Sequence, residues 1–250
     1  MKAKMSILLV SVVALLMYAN PVQASSDTDK RINTAAKESY VFKTYLKDDD
    51  VKIESKNGAV TLKGSVVEES HKDLAGETVA NLPGVKSVNN QLVVAQDSPT
   101  KKPDAWLSAK VKTTLLFHRN VSATTNVDTK DGIVTLRGEA DNQAQKDLTA
   151  KYAQDIDGVK EVINEMTVVK VVAPSRTVGD KIDDASITAL VKISLLYHRS
   201  TRGFQTKVET NDGVVTLSGK AGSAAEKDLA TQYAKDVNGV EEVNNLMSIE

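Results

Sequence analysis

The residues best suited to chemistry in this 250-residue chain are few and widely spaced. There is no cysteine, which excludes disulfides, thiolate nucleophiles and thiolate metal sites. The three histidines, His71, His118 and His198, belong to no H-E-x-x-H helix, and the sequence has no G-x-x-x-x-G-K-[ST] phosphate loop and no G-x-S-x-G nucleophile elbow. We therefore expect a protein that is not an enzyme, with no catalytic set, metal, cofactor or small-molecule substrate.

Residues 48–50 are three consecutive aspartates and form a local concentration of carboxylates. An EF-hand loop would require oxygen ligands at fixed alternating positions and a central glycine, and neither is found here. A polar turn is therefore the favoured interpretation of this run.

Two copies of a Leu-Leu-aromatic-His-Arg segment, at 115–119 and 195–199, offer a more specific signal. Two adjacent leucines and an aromatic ring cannot all face one core from a single helix. Either the extra apolar side chains pack under the next loop or against a neighbouring module, with His-Arg complementing the dipole at the helix C-terminus, or they form an exposed apolar tip flanked by cations, which suits a membrane interface. The candidate membrane or partner contacts are Leu116, Phe117, His118, Arg119, Lys110, Lys112, Leu196, Tyr197, His198, Arg199 and Lys192.

The elements that position these residues belong to a unit repeated three times. The segments 57–64, 131–138 and 212–219 have nearly the same sequence and are spaced 74 and 81 residues apart. Each is followed at a constant distance by Lys-Asp-Leu and then by Gly-Val. A fixed period of this kind predicts tandem copies of one small module.

Each module reads as helix, strand, strand, helix, strand. Asn-Gly or Asp-Gly between the first two strands predicts type I′ hairpins. Asp104 and either Asp183 or Asp184 are expected to cap the first helices of the second and third copies. We predict an α+β fold of three αββαβ modules, each a three-stranded mixed sheet with two helices on one face. The sequence leaves open whether the third strand pairs with the first or the second.

The first copy fits this pattern less well than the others. Ala35, Phe42 and Leu46 form only a ragged helical stripe without a clear cap. The connection from Leu46 to Ile53 is also five residues shorter than its counterpart in the second copy.

The chain begins with the pattern of a secretory signal. Lys2 and Lys4 precede an apolar run at 6–19, and a small-residue site predicts cleavage after Ala24. The predicted organisation is a leader at 1–24, module 1 at 30–96, a linker at 97–103, module 2 at 104–172, a linker at 173–179 and module 3 at 180–250. Trp106, just after the first linker, is expected in a core or inter-module contact.

Together, the Gly-x-Val-Thr-Leu-x-Gly hairpin, the Lys-Asp-Leu helix and the Gly-Val-x-x-Val-Asn strand entry resemble the BON domain, in three copies from about Ile32 to Glu250. The resemblance implies a non-enzymatic exported protein of the periplasm, associated with osmotic and envelope stress. It also implies contact with phospholipid membranes or with envelope proteins, and brings no catalytic or metal-binding set.

Charge helps to choose among partners. The formal net charge is −1, and removal of the two leader lysines makes it −3. A nucleic-acid-binding protein would normally be strongly basic, so nucleic acid is not expected. An anionic phospholipid surface and a chaperone-like interaction with envelope proteins both remain open. For the first, each well-placed lysine would contribute about 1 kcal/mol.

Overall fold

The computed structural model describes residues 21–95, 103–121, 125–169, 182–201 and 205–250, with 21–25 and Gln205 described by their backbone alone. The apolar run of the predicted leader and nearly all of both predicted linkers lie outside the described residues. Among the residues described, no helix is both long enough and apolar enough to cross a membrane.

The predicted element order is found in all three modules, with one additional helix in module 1. Module 1 contains α1 (Pro21–Glu38), α2 (Tyr40–Thr44), β1 (Asp50–Lys56), β2 (Ala59–Val66), α3 (Glu69–Ala80), β3 (Ser87–Asn90) and β4 (Val93–Val94). Module 2 contains α4 (Pro103–Phe117), β5 (Asn126–Lys130), β6 (Ile133–Arg137), β7 (Glu139–Ala140), α5 (Gln143–Asp155), β8 (Glu161–Asn164) and β9 (Thr167–Val168). Module 3 contains α6 (Asp184–Tyr197), β10 (Gln205–Asn211), β11 (Val214–Ala221), α7 (Ala224–Asp236), β12 (Glu242–Asn245) and β13 (Ser248–Ile249). The fold is α+β, as predicted.

The hairpin prediction is confirmed in each module. Asn57, Asp131 and Asp212 have φ angles of 55°, 53° and 48°, and the glycine after each also has a positive φ. Two consecutive residues of this kind make a type I′ turn, whose twist matches that of the strands it joins. The flanking strands pair antiparallel across a two-residue loop, as in the partners Lys56 and Ala59.

The structure also decides the pairing of the last strand. In module 1, β2 is central, with β1 antiparallel on one side and β3 and β4 parallel on the other. The last strand is broken because Leu92 turns into the core. The Asn90 side chain bridges the break: its oxygen accepts from the Leu92 amide at 3.2 Å, and its nitrogen donates to the Lys72 carbonyl at 2.8 Å.

A recurring aspartate ties the first helix to the hairpin turn. Asp184 accepts hydrogen bonds from the amides of Asp212 and Gly213 at 2.8 and 2.9 Å, and Asp104 makes the same bonds to the turn of module 2. The capping prediction is therefore wrong for Asp104, because its carboxylate binds turn amides. Of the two candidates in the third copy, Asp184 binds turn amides as well. Asp183 is the helix cap, accepting from the Ser186 amide at 2.9 Å.

Module 1 has the same tie, through Asp29, which the ragged helical pattern concealed. Asp29 accepts from the Asn57 and Gly58 amides and from the Ser55 hydroxyl. These bonds, led by that from Gly58, lower the pKa of Asp29. The predicted stripe is also shifted, because the helix bends at Ser39, which caps α2. The buried positions of this region are Ile32, Ala36, Val41 and Leu46, whereas Ala35 and Phe42 are partly buried.

Helix α6 lies at the centre of the molecule. Almost all of its residues are buried, although it belongs to the first-helix position of a small module. It packs against α7 and β10 of its own module, against α3 of module 1 and against α4 of module 2. The helices of the three modules thus share one core, and each sheet turns its other face outward.

Replacing Asp184 with alanine should lower the free energy of unfolding by about 1–3 kcal/mol, because two turn amides lose a charged acceptor. Urea unfolding followed by far-UV circular dichroism measures this change. Glu209→Ala, an exposed change in the adjacent strand, should stay within about 0.5 kcal/mol of the parent. Equal effects of the two substitutions would contradict the proposed tie.

Candidate functional site

The described residues contain no group of three or more His, Cys, Asp or Glu side chains placed to hold a metal ion. In the aspartate run at 48–50, Asp49 accepts from the Val67 amide at 2.7 Å and lies 2.6 Å from Nδ1 of His71. These contacts are those of the polar turn that the sequence favoured.

The two Leu-Leu-aromatic-His-Arg segments meet each other at the contact between modules 2 and 3. Phe117, His118, Tyr197 and His198 are at most 5 % exposed. Of the two interpretations, the exposed tip is therefore excluded for these four side chains, and packing against neighbouring modules applies. Phe117 contacts the ring of Tyr45 of module 1, and His118 contacts His198. Lys110 is buried as well: its amine donates to the Asp157 carbonyl at 3.0 Å.

The remaining candidate contact residues differ in how far they are buried. Lys192 is half-buried and forms a 2.9 Å ion pair with Glu77 of module 1. Leu116 and Arg119 are half-buried, whereas Lys112, Leu196 and Arg199 are exposed. Trp106 is half-buried against the shared core, and the Lys110 amine lies 4.8 Å from its ring centre.

We call the contact between modules 2 and 3 the histidine seam, formed by the end of each first helix and the end of the other module's second helix. Backbone bonds join its two halves reciprocally. The Arg119 amide donates to the Asp236 carbonyl at 2.9 Å, and the Arg199 amide donates to the Asp155 carbonyl at 2.7 Å. The seam is therefore a pseudo-twofold arrangement of two similar sequences.

The arginines of the seam contact the C-terminal ends of helices in the opposite module. The Arg199 guanidinium donates to the carbonyls after α5, reaching that of Val159 at 2.7 Å. The Arg119 guanidinium donates likewise to the carbonyls of Val237 and Val240 after α7. A cation is stabilised by the unpaired carbonyls at a helix end. The arginines thus do complement a helix dipole, as one of the two interpretations proposed. The helix concerned is the second helix of the neighbouring module and not the arginine's own helix.

Each seam histidine is stacked on a tyrosine of its own module. The ring centres of His118 and Tyr152 lie 4.1 Å apart, and those of His198 and Tyr233 lie 4.0 Å apart. Each tyrosine then donates across the seam. Tyr152 donates to Asp236 at 2.8 Å, and Tyr233 donates to Asp155 at 2.6 Å.

The seam electrostatics follow from burial. Burial lowers the pKa of His198 to about 4, despite the raising effect of Asp155. Burial alone would raise the pKa of Asp155, but the nearby His198 ring and hydrogen bonds from Ser200 and Tyr233 outweigh it and lower that pKa to about 2. The carboxylate of Asp155 is accordingly held in its charged form.

Periodicity places Tyr152 and Tyr233 on the buried faces of their helices, but sequence reasoning missed their contacts across the seam and missed the aspartates, although the chain carries a signal for both. A Tyr-x-x-Asp sequence ends the second helix of modules 2 and 3, at 152–155 and 233–236. Module 1 has Thr78 and Asn81 at the corresponding positions. Module 1 also lacks the His-Arg pair. The two features therefore occur together and are absent together, as expected of groups that contact each other.

Module 1 joins module 3 through a different set of contacts. On α3, Asp73 accepts from the Tyr197 hydroxyl at 3.1 Å, and Glu77 pairs with Lys192. At the start of α6, Asp183 also accepts from the Tyr40 amide at 2.8 Å. Burial raises the pKa of Asp73, partly offset by the Tyr197 hydrogen bond.

Next to these contacts lies an open groove of about 310 Å³, with Leu196 on its edge. Leu196 is 51 % exposed, at the end of a helix that is otherwise almost entirely buried. Ile193, Leu195 and Val208 contribute apolar side chains to the groove, and the Lys192–Glu77 pair contributes charge.

The repeats, the sheet order and the paired modules define a known domain class. The family model for the BON domain matches three times, at 28–96, 103–170 and 183–250. These matches cover most of the chain, and the protein belongs to the BON-domain family.

Individual relatives agree with this assignment. The chain is 37 % identical to osmotically-inducible protein Y of Escherichia coli over 57 % of its own length and 70 % of the relative's. It is 31 % identical to outer membrane lipoprotein DolP of Haemophilus influenzae, over 63 % of its own length and 89 % of the relative's. It is 32 % identical to a 21 kDa hemolysin of Actinobacillus pleuropneumoniae, over 47 % of its own length and 58 % of the relative's.

The cross-seam hydrogen bond between Tyr152 and Asp236 should appear as energetic coupling. Tyr152→Phe and Asp236→Asn together should destabilise the chain less than the sum of the single changes, by about 0.5–3 kcal/mol, because each single change already breaks the same bond. Urea unfolding of the parent, both single variants and the double variant measures this coupling. Tyr152→Phe combined with the distant Asp184→Ala should be additive within about 0.5 kcal/mol, and equal coupling in both cycles would refute the assignment.

Proposed function

We propose that this protein works in the bacterial envelope under osmotic stress, without catalysis, by binding anionic phospholipid surfaces. The observation that carries the proposal is Leu196, a large apolar side chain exposed at the end of α6 beside an apolar-lined groove. An apolar side chain of this kind gains free energy by entering the boundary between head groups and acyl chains.

Basic side chains lie near this apolar position. Arg199 follows Leu196 by three residues and is exposed, and Lys192 precedes it by one helical turn. Arg199 can add attraction to anionic head groups, whereas the charge of Lys192 is balanced by Glu77. The exposed end of α6 is thus much smaller than the tip that the sequence indicated, with one leucine in place of several apolar and aromatic residues.

The names of two relatives support the proposed setting. One is an osmotically-inducible protein and another is an outer membrane lipoprotein. We infer from this relationship, together with the leader predicted at 1–24, that the chain is exported to the periplasm and meets membrane there as a peripheral protein.

Leu196→Glu should weaken binding to vesicles of phosphatidylglycerol and phosphatidylcholine by about tenfold or more, because burial of a leucine contributes about 1.5–3 kcal/mol. Co-sedimentation with these vesicles measures the change, repeated from low to high salt. Binding should also fall as salt screens the charges.

Leu246→Glu is the matched control, since Leu246 is 70 % exposed but lies away from α6, between β12 and β13 of module 3. It should bind vesicles like the parent. Equal binding of the parent to anionic and to neutral vesicles would exclude the electrostatic form of the proposal, and equal losses in both variants would exclude the α6 site.

The sheet edges favour a second candidate function, a chaperone-like interaction with envelope proteins. Val93, Val168 and Ile249 are exposed, by 61 %, 45 % and 53 %. They lie in β4, β9 and β13, each of which pairs on one side only among the strands described. An exposed edge with apolar side chains can accept an extended segment as an added strand.

This second function predicts that the purified protein suppresses aggregation of an unfolded outer-membrane protein in the absence of vesicles. Val93→Lys and Ile249→Lys together should reduce the suppression, because charge on an edge strand opposes further pairing. Light scattering at several molar ratios measures the effect, with Leu196→Glu as the control variant. Unchanged scattering with the parent protein at every ratio would rule out the idea.

A further inference from the structure

The centre of the histidine seam places two imidazole rings in direct contact. Nε2 of His118 lies 3.3 Å from Nε2 of His198, and both side chains are almost completely buried. The two histidines come from different modules, at the ends of α4 and α6. The protonation of this pair therefore bears on how two modules are held together.

The other ring nitrogen of each histidine faces a carboxylate of the opposite module. Nδ1 of His118 lies 3.4 Å from Asp236, and Nδ1 of His198 lies 3.4 Å from Asp155. Each carboxylate already accepts a tyrosine hydroxyl, so it attracts a proton on the Nδ1 that faces it. If each Nδ1 carries a proton, both rings are neutral with no proton on Nε2, and one further proton between the two Nε2 atoms makes the pair singly charged.

That single proton makes an N–H···N hydrogen bond across the seam. A second proton would place two N–H groups head to head and two imidazolium charges in contact. Like charges at this separation, away from water, repel strongly.

Further titratable and charged groups surround the pair, and the Ser194 hydroxyl lies 3.3 Å from Nε2 of His118. These groups are Lys110 on α4, Tyr152, Asp155 and Asp157 at α5, Tyr233 and Asp236 at α7, and Arg119 and Arg199 beside the histidines.

We propose that His118 and His198 form an acid-sensitive latch, in which a second proton on the pair separates module 2 from module 3. Opening of the latch moves each first-helix end away from the second-helix end that it contacts. It therefore uncovers the His118–Tyr152 and His198–Tyr233 ring stacks, which the closed seam hides from solvent.

The direction of the pH effect follows from burial. The folded pKa of His198, about 4, lies below the ordinary value of 6.5, so the open state binds the proton more tightly than the closed state. Closure is fully favoured above pH 6.5 and is weakened progressively as the pH falls from 6.5 to 4. The full difference of 2.5 pH units, reached only below pH 4, corresponds to about a 300-fold change in the closure equilibrium, and at pH 4.5 the change is about 80-fold. Protonation of Asp155, with its pKa of about 2, lies below this window.

The test compares the full-length mature chain with His198→Gln between pH 7.5 and 4.5. Small-angle X-ray scattering reports the radius of gyration, and emission from Trp106, the single tryptophan, reports the seam, since Lys110 lies over both Trp106 and Tyr197. The parent should expand and change its Trp106 emission below about pH 6 with unchanged far-UV circular dichroism. His198→Gln should remain compact, and His71→Gln, in module 1, should respond like the parent.

An unchanged radius of gyration of the parent down to pH 4.5 would overturn the latch, as would the same expansion in His198→Gln. If that variant fails to close at pH 7.5, nitrogen-15 NMR titration of the imidazoles in the parent decides the question. Coupled, two-step titration of His118 and His198, with the second step coinciding with expansion, supports the latch. Independent single-step titration of the two rings excludes it. The assays contain no lipid, so their outcome is separate from that of the proposed membrane function.

Discussion

Helix α6 is buried around nearly its whole circumference, and the association of the three modules depends on that burial. A helix that is apolar on all sides needs partners on all sides. Its own module covers one side, and α3 and α4 of the other modules cover the rest. A domain of about 65 residues buries only about 60 % of its unfolded surface. Sharing one central helix gives three such small units a common core.

The two contacts made by module 3 differ in chemistry. Module 1 is joined by helix packing with a few polar bonds at its margin, such as Glu77 to Lys192. Module 2 is joined by the seam, where reciprocal backbone bonds, arginine–carbonyl bonds and tyrosine–aspartate pairs surround two histidines. Buried charges require complete pairing, because an unpaired one costs several kcal/mol. The seam therefore fixes one relative orientation of its two modules.

Local chemistry in the sequence predicted the local structure well. Asn57 and its two counterparts form the expected turns, because two left-handed residues in succession fit only a narrow set of connections. Ser223 and Asn142 cap the second helices of modules 3 and 2, as sequence patterns of this type predict. Asp104 was misassigned because a carboxylate at a helix start has two sets of amides within reach.

The seam could not be predicted from helical periodicity. Periodicity shows that the leucines and aromatic rings of residues 115–117 and 195–197 lie on different sides of their helices. It does not show which module buries each side. The two similar segments meet through contacts about 80 residues apart. Tyr152 lies on the apolar stripe of its helix, which predicts burial but no partner, and Asp236 resembles an ordinary residue at the end of an amphipathic helix. Only their joint absence from module 1 distinguishes them.

The position of α6 also has a consequence during synthesis of the chain on the ribosome. A ribosome releases residues in order, so modules 1 and 2 emerge before the helix that completes their common core. Until then the surface of α3 that receives α6 is open to solvent, and so is the Tyr152 face of α5. The nascent chain therefore passes through a stage with apolar surface uncovered, which ends only when the third repeat has been made.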